Sequence, residues 1–318
     1  MTPQTLQDAI RYFSDFDNCQ RTMIELRWRD GKVRCPYCKS ERVTYLPSGR
    51  VWRCANTHDR RKFSLKVGTI FEDSPIGLDK WFTAMWLLSN CKNGVSSYEI
   101  ARDIHVTQKT AWFMDHRIRL AMHAGSFDKM TGEVEADETF IGGLARFMHK
   151  DQKARITGTG GAGKVAVMGL LERHGPDKHS RVKAKVVRNV QRDTLHNTIR
   201  DNVEPRSEMF TDAWVGYGGL EPDYTHKVID HAEAYVKGNV HTNGIENFWS
   251  LLKRGLKGTY ISVEPFHLFR YVDEQAFRFN SRKVSDGTRF AEALGDVTGR
   301  RLMYKHLTGK DEPQLRLL

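Results

Sequence analysis

The chain has 318 residues, 39% of them hydrophobic and 28% charged, with a net charge of +11. This composition excludes a disordered or fibrous chain and allows two or three domains. The positive excess points to a polyanionic partner, and since no apolar run approaches the roughly 20 residues that span a bilayer, nucleic acid is expected rather than a membrane.

The N-terminus, MTPQTLQDAIRYF, lacks the charged start, apolar centre and cleavage site of a secretory leader, so a cytoplasmic protein is expected. Residues 1–30 read as a helical lead. Leu6, Ile10 and Phe13, then Met23 and Leu26, recur at helical spacing, with a break around Asp15 to Asn18.

Residues 31–66 are short, punctuated by Gly, Pro and Cys, and strand-like at Val43 to Leu46 and Val51 to Cys54. The chain has five cysteines, an odd number, which argues against a disulfide framework. CPYC (35–38) is followed after fifteen residues by CANTH, so Cys35, Cys38, Cys54 and His58 form a C-x2-C…C-x3-H set. Zinc takes four tetrahedral thiolate or imidazole ligands, and two knuckles joined by a hairpin supply them. A segment this small has little core, so metal binding would contribute much of its folding energy. Cys19 and Cys91 read as small buried side chains. The basic stretch RRKFSLK (60–66), with Phe63 and Trp52, has two compatible readings: a DNA-facing surface, or a solvated face with rings packed on the metal core.

Residues 77–122 read as helical, with a helix-turn-helix over VSSYEIARDIHVTQKTAWFMDHRIRLAM (95–122). Ser96 or Ser97 can cap the first helix, with Glu99 completing a capping box. Ile100, Ala101 and Ile104 give it one apolar face, and Thr107 can cap the second helix. Gln108, Lys109 and Thr110 open that helix, where base edges would be met. Trp112, Phe113, Ile118 and Leu120 are expected in the core. An ordinary helical hairpin is the alternative.

After a linker at 123–132, residues 125–300 read as several strands followed by helices, which predicts an α/β or α+β domain; residues 301–318 form a tail. Strands are expected at 131–143, 164–172, 181–190 and 208–213, and helices at 192–201, 243–256 and 265–280. Three segments carry acids where chemistry could be built: VEADETFIGG (134–143), MFTDAWVGY (209–217) and HTNGIENFWSLLKRGLKGTY (241–260). Two-metal phosphoryl transfer needs carboxylates from separate elements around a pair of divalent ions. Hard oxygen ligands suit magnesium. Asp137, Asp212 and Glu246 are the candidates, and each has rivals: Glu135 and Glu138, Glu208, and Glu233 and Asp230. Glu246 and Lys253, seven residues apart, share a helix face nearly two turns apart, with Asn243 also on it.

At these residues the chain resembles bacterial insertion-sequence transposases of the DDE type that carry an N-terminal zinc ribbon and a helix-turn-helix. RWRDGKVRCPYC (27–38), FSLKVGTIFEDSPIGLDKW (63–81), DETFIGG (137–143), TDAWVGY (211–217) and HTNGIENFWSLLKRGLKGTY (241–260) carry the resemblance, in order and across most of the chain. It implies a ribonuclease-H-like catalytic domain, with Asp137 on the first strand and Asp212 after the fourth. Family members differ at the third position, some having Asn; Glu246 is taken here over the neighbouring Asn243 and Asn247 because a carboxylate holds magnesium better than an amide. Lys253 matches the family's following lysine, and His241 a recurrent residue before the helix, with a helix-capping or packing histidine as the alternative. The implied activity is metal-dependent cleavage and joining of double-stranded DNA, by at least a dimer on DNA, in the nucleoid. The implied cofactors are magnesium or manganese at the acids and structural zinc. Lys253, Arg254 and Lys257 would lie along the DNA phosphates, unless Arg254 and Lys257 are a solvated face.

GTGGAGK (158–164) has phosphate-loop spacing but lacks the final Ser or Thr and precedes a strand, so an ATP-driven enzyme is not expected. Two rival classes use the same residues: a non-enzymatic DNA-binding regulator or decayed copy, which needs no spaced acids, and a metal-dependent nuclease that cuts without joining.

Overall fold

The computed structural model describes residues 3–123, 128–142, 163–174, 178–229 and 241–309. The chain divides at Met122 and again at Arg282: His123–Arg282 forms one compact unit, and the segments on either side of it form the other. None of its helices is long and apolar enough to cross a membrane among the described residues.

The first unit opens with α1 (Leu6–Phe13) and α2 (Phe16–Arg27). The break between them is a cap: the Asp15 side chain accepts the Asp17 N–H at 2.8 Å and starts the second helix. A small antiparallel sheet follows, made of β1 (Val43–Leu46), β2 (Val51–Cys54) and β3 (Lys62–Phe63). Three helices complete the N-terminal part: α3 (Leu78–Asn90), α4 (Ser97–Asp103) and α5 (Gln108–Met122). Of the two candidate caps of α4, Ser96 is the one used. Its hydroxyl accepts the Glu99 N–H at 3.2 Å while the Glu99 carboxylate accepts the Ser96 N–H at 2.8 Å. Ile100, Ala101 and Ile104 are buried, as is Ile118 of α5. Trp112, Phe113 and Leu120 are half-buried. Cys19 is buried, whereas Cys91 is half-buried at the C-cap of α3.

The second unit holds β4 (Glu133–Ile141), β5 (Val165–Glu172), β6 (Arg181–Val187), α6 (Arg192–Asn202), β7 (Glu208–Asp212), β8 (Thr225–Ile229), α7 (Asn243–Gly255) and α8 (Leu268–Asn280). Its five strands run in the order β6-β5-β4-β7-β8. β4 is central, antiparallel to β5 and parallel to β7. All eight residues of β5 are buried, which explains the unbroken apolar run VAVMGLL. One sheet face packs Val134, Ala136, Met168 and Leu170 against Leu195 and Ile199 of α6. The other packs Val165, Val167 and Leu171 against Ile245, Phe248, Trp249 and Leu252 of α7 and Val272 and Phe279 of α8. The α/β expectation therefore holds for this unit as a mixed sheet with helices on both faces.

The chain then returns to the first unit through α9 (Asp286–Gly295) and α10 (Tyr304–Leu307). Residues 283–300, expected with the 125–300 region, pack instead with the N-terminal helices. The physical reason is Phe290, whose ring lies 5.6 Å from that of Phe13, 6.3 Å from Phe82 and 5.3 Å from Trp86. Most of GTGGAGK, residues 158–162, lies outside the described residues, and Val165, just after its lysine, opens β5.

Candidate active site and zinc centre

Side chains alternate along a strand, so Glu133, Glu135 and Asp137 of β4 share one face. The parallel register pairs Glu135 with Phe210 of β7; continued two residues beyond this last hydrogen-bonded pair, the same register would bring Asp137 level with Asp212. Phe210 lies 4.2 Å beneath the Arg173 guanidinium, which pairs with Glu135, so Phe210 and Asp212 share the Glu135 face. Helix α7 covers that face. The Ile245 N–H donates to Glu135 Oε2 at 2.8 Å, and the Trp249 indole N–H donates to Asp137 Oδ2 at 2.9 Å. Glu246 is exposed on the first turn of α7, where its Oε1 accepts the Thr242 hydroxyl at 2.9 Å. Asp212 Oδ1 accepts the Trp214 N–H at 3.1 Å.

The electrostatics follow the geometry. Burial, reinforced by the charges of Asp212 and Glu246, holds the Asp137 carboxyl up at about 6. Three acids thus act on one neighbourhood, and their donor set of hard carboxylate oxygens fits divalent cations. Their oxygens do not all fall within 4.8 Å of one another.

The rival acids are engaged elsewhere. Glu135 is buried, bound to Arg173 Nε at 2.7 Å and to the start of α7. Glu138 points to the opposite sheet face, where the Tyr217 hydroxyl donates to it; burial pushes its carboxyl up to about 7. Glu208 pairs with Lys227 at 2.9 Å. Glu233 and Asp230 lie outside the described residues. Asn243 and Asn247 are both exposed on α7. Lys253 is half-buried and Arg254 exposed near the C-terminal end of that helix, and Lys257 is exposed on the π-helical turn Leu256–Tyr260. His241 is not the cap of α7, a place taken by Thr242. Its Nδ1 lies 2.9 Å from Arg173 Nη2 and 3.5 Å from Glu135.

This arrangement can be compared with known proteins. Residues 129–280 match the ISXO2-like transposase domain, a span that includes Asp137, Asp212, Glu246 and Lys253. An uncharacterized protein in transposable element ISH50 of Halobacterium salinarum is 29% identical over 78% of this chain and 85% of its own length. An uncharacterized transposase-like protein of Haemophilus influenzae is 33% identical over 33% of this chain and 85% of its own length. The chain belongs to the insertion-sequence transposase family.

The transposase has a second candidate centre in its first unit. The β1–β2 hairpin returns Cys54 to the CPYC knuckle. The ligand atoms of Cys35, Cys38, Cys54 and His58 all lie within 4.8 Å of one another. The Cys38 and Cys54 sulfurs are 3.6 Å apart, and the Cys35 sulfur is 3.5 Å from His58 Nε2. A tetrahedron with ~2.3 Å metal–sulfur bonds has edges of roughly 3.8 Å, so this donor set fits zinc. Trp52 and Phe63 are buried and stacked 6.4 Å apart, which makes them the small core of the ribbon.

The residues expected to meet DNA at the start of α5 all have partners within the first unit. The Gln108 amide donates to the Ser97 hydroxyl at 2.9 Å, Lys109 Nζ lies 5.2 Å from the Tyr304 ring, and Thr110 Oγ1 is 2.8 Å from Thr107 Oγ1. Sequence reasoning did not single out Arg173, Gly169 or Trp249 of the second unit. Trp249 had a usable signal: it lies three residues after Glu246, on the same helix face.

Proposed function

We propose that this transposase is a DDE-type enzyme that binds insertion-sequence ends and catalyses two-metal hydrolysis and strand transfer of DNA phosphodiesters. The observation that supports it best is the meeting of Asp137 and Asp212, on neighbouring parallel strands, with the α7 helix that bears Glu246. The mixed five-stranded sheet with helices on both faces supports the ribonuclease-H-like fold.

Asp137, Asp212 and Glu246 would hold two magnesium or manganese ions, which supply Lewis acidity and a nucleophile at neutral pH. Lys253 would orient a phosphate beside the acids, and Arg254 and Lys257 would extend the basic track along the backbone. In the first step, water attacks the phosphorus at the element end, the phosphorus–O3′ bond breaks, and a 3′-hydroxyl is released. In the second, that hydroxyl attacks a target phosphorus and displaces a target O3′. The zinc ribbon and the start of α5, with Gln108, Lys109 and Thr110, would grip the DNA ends. At least two protomers would act together on DNA, in the cytoplasm.

The test is end cleavage on a labelled duplex carrying the element's own terminus, with wild type and Asp212→Asn side by side. Magnesium- or manganese-dependent release of a 3′-hydroxyl, lost in Asp212→Asn with DNA binding intact, is the expected result. Binding without cleavage by wild type under both metals would favour a DNA-binding regulator. Cleavage without joining would favour a nuclease.

A further inference from the structure

Asp137 lies directly across the β4–β5 ladder from Gly169. A Cβ at position 169 would fall 2.6 Å from Trp249 Cζ2, 2.7 Å from its Cη2 and 2.8 Å from Ile245 Cδ1. The indole thus rests against bare backbone, 4% exposed, with its N–H 2.9 Å from Asp137 Oδ2. An alanine at 169 would push the ring off this seat. The same helix carries Glu246 one turn before Trp249, on the same side.

We propose that Trp249 is a positioning residue for the catalytic acids, an inference that rests on the two-metal reading. Its N–H holds one oxygen of Asp137, and with the Glu138 backbone N–H on the same carboxyl it fixes the carboxylate's orientation towards the other acids. A neutral donor suits this task, since an arginine or lysine in its place would bring a positive charge that opposes metal entry. The bond also fixes the rotation and axial placement of α7 against β4, and so sets the distance between the first and third acids. Gly169 makes this possible by offering no side chain beneath the ring.

The test uses the full chain with its DNA end. Trp249→Phe keeps a ring over Gly169 and deletes the donor; Gly169→Ala keeps the donor and displaces the ring. Manganese binding by electron paramagnetic resonance and the magnesium dependence of end cleavage are measured for wild type and both variants, with DNA affinity and melting temperature alongside. The expected result is a rise of about tenfold or more in the metal midpoint for both variants, with cleavage largely recovered at saturating metal and DNA affinity unchanged. If Trp249→Phe does not fold, Gly169→Ala carries the test through the same bond. Unchanged midpoints in folded variants, or a loss that metal does not restore, would overturn the proposal while the two-metal reading survives. Wild type that binds no divalent metal and cleaves nothing would overturn both.

Discussion

Glu135 and Arg173 form a 2.7 Å ion pair with 1% and 9% of their side chains exposed. The pair sits where three elements meet. Glu135 Oε2 receives the Ile245 N–H at the start of α7, and Arg173 Nη2 donates to the His241 carbonyl just before it. Gly244 completes the fit, because a Cβ there would lie 2.9 Å from Glu135 Oε2.

Removing one partner of a buried pair leaves the other charge without compensation, at a cost of about 3–5 kcal/mol. Arg173→Met is therefore expected to lower stability by about 3 kcal/mol in urea titration. The double variant Glu135→Leu/Arg173→Met is expected to recover part of that loss, since it removes both charges but leaves the Ile245 N–H without its acceptor. A single variant within experimental error of wild type would remove this pair from the determinants of α7 placement.

The capping box of α4 makes a smaller prediction with a defined pH dependence. Ser96→Ala is expected to cost about 1 kcal/mol. Hydrogen bonds from the Ser96 backbone and side chain hold the Glu99 carboxyl below its ordinary range. A depressed carboxylate contributes stability above its unfolded value, near 4.3, and that contribution is lost as pH falls through the lower folded value. The difference between wild type and Glu99→Gln, which removes the titrating carboxylate, should accordingly narrow below about pH 4. A constant difference down to acid unfolding would count against the reciprocal bond.

Much of this organisation is legible in the sequence. β5 announces itself as an unbroken apolar run because all its residues are buried, the β7 strand as a short buried stretch ending at Asp212, and the amphipathic α7 because one-sided burial imposes a period on its residues. The Cys35, Cys38, Cys54 and His58 spacing is equally plain, because a four-ligand site needs its donors in two closely spaced pairs. The return of 283–300 to the first unit was not legible, since Phe290 looks like any apolar residue on a helix until its partners Phe13, Phe82 and Trp86 are known. Nor could the strand pattern, without the family resemblance, separate Asp137 from Glu135. The two share a strand face, and they differ only in what crosses above them, which for Glu135 is Arg173 and for Asp137 is the Trp249 indole.

Removal of metal should act on one segment. Chelation of the protein, or Cys54→Ala, is expected to release the ribbon and open tryptic sites between Lys32 and Lys66, with about one zinc per chain lost by elemental analysis. Digestion mapped by mass spectrometry checks this. Full resistance of the segment without zinc would show that Trp52 and Phe63 hold it alone.

Cys19 should be chemically silent in the folded protein. Burial, followed by the charges of Asp79 and Asp15, pushes its thiol up to about 12 from an ordinary value near 9. Alkylation goes through the thiolate. At pH 8.5, native Cys19 should react at least about a hundredfold more slowly than in urea, where the thiol ionises normally. Because the folded value is raised, the neutral thiol's contribution is fully present below pH 9 and is lost as pH climbs towards 12. Wild type should thus lose stability relative to Cys19→Ala across that window. Equal labelling rates in folded and unfolded protein would refute this.

The first unit is interrupted in the sequence by the whole of the second. A ribosome reading this message makes α1, the ribbon and α3 to α5 early, yet Phe290 emerges only after β4 to α8 have been synthesised. Until then Phe13, Phe82 and Trp86 lack a neighbour of their shared core. A message broken between codons 123 and 290 would therefore yield a chain whose front end is made through α5 and still lacks Phe290 from its core.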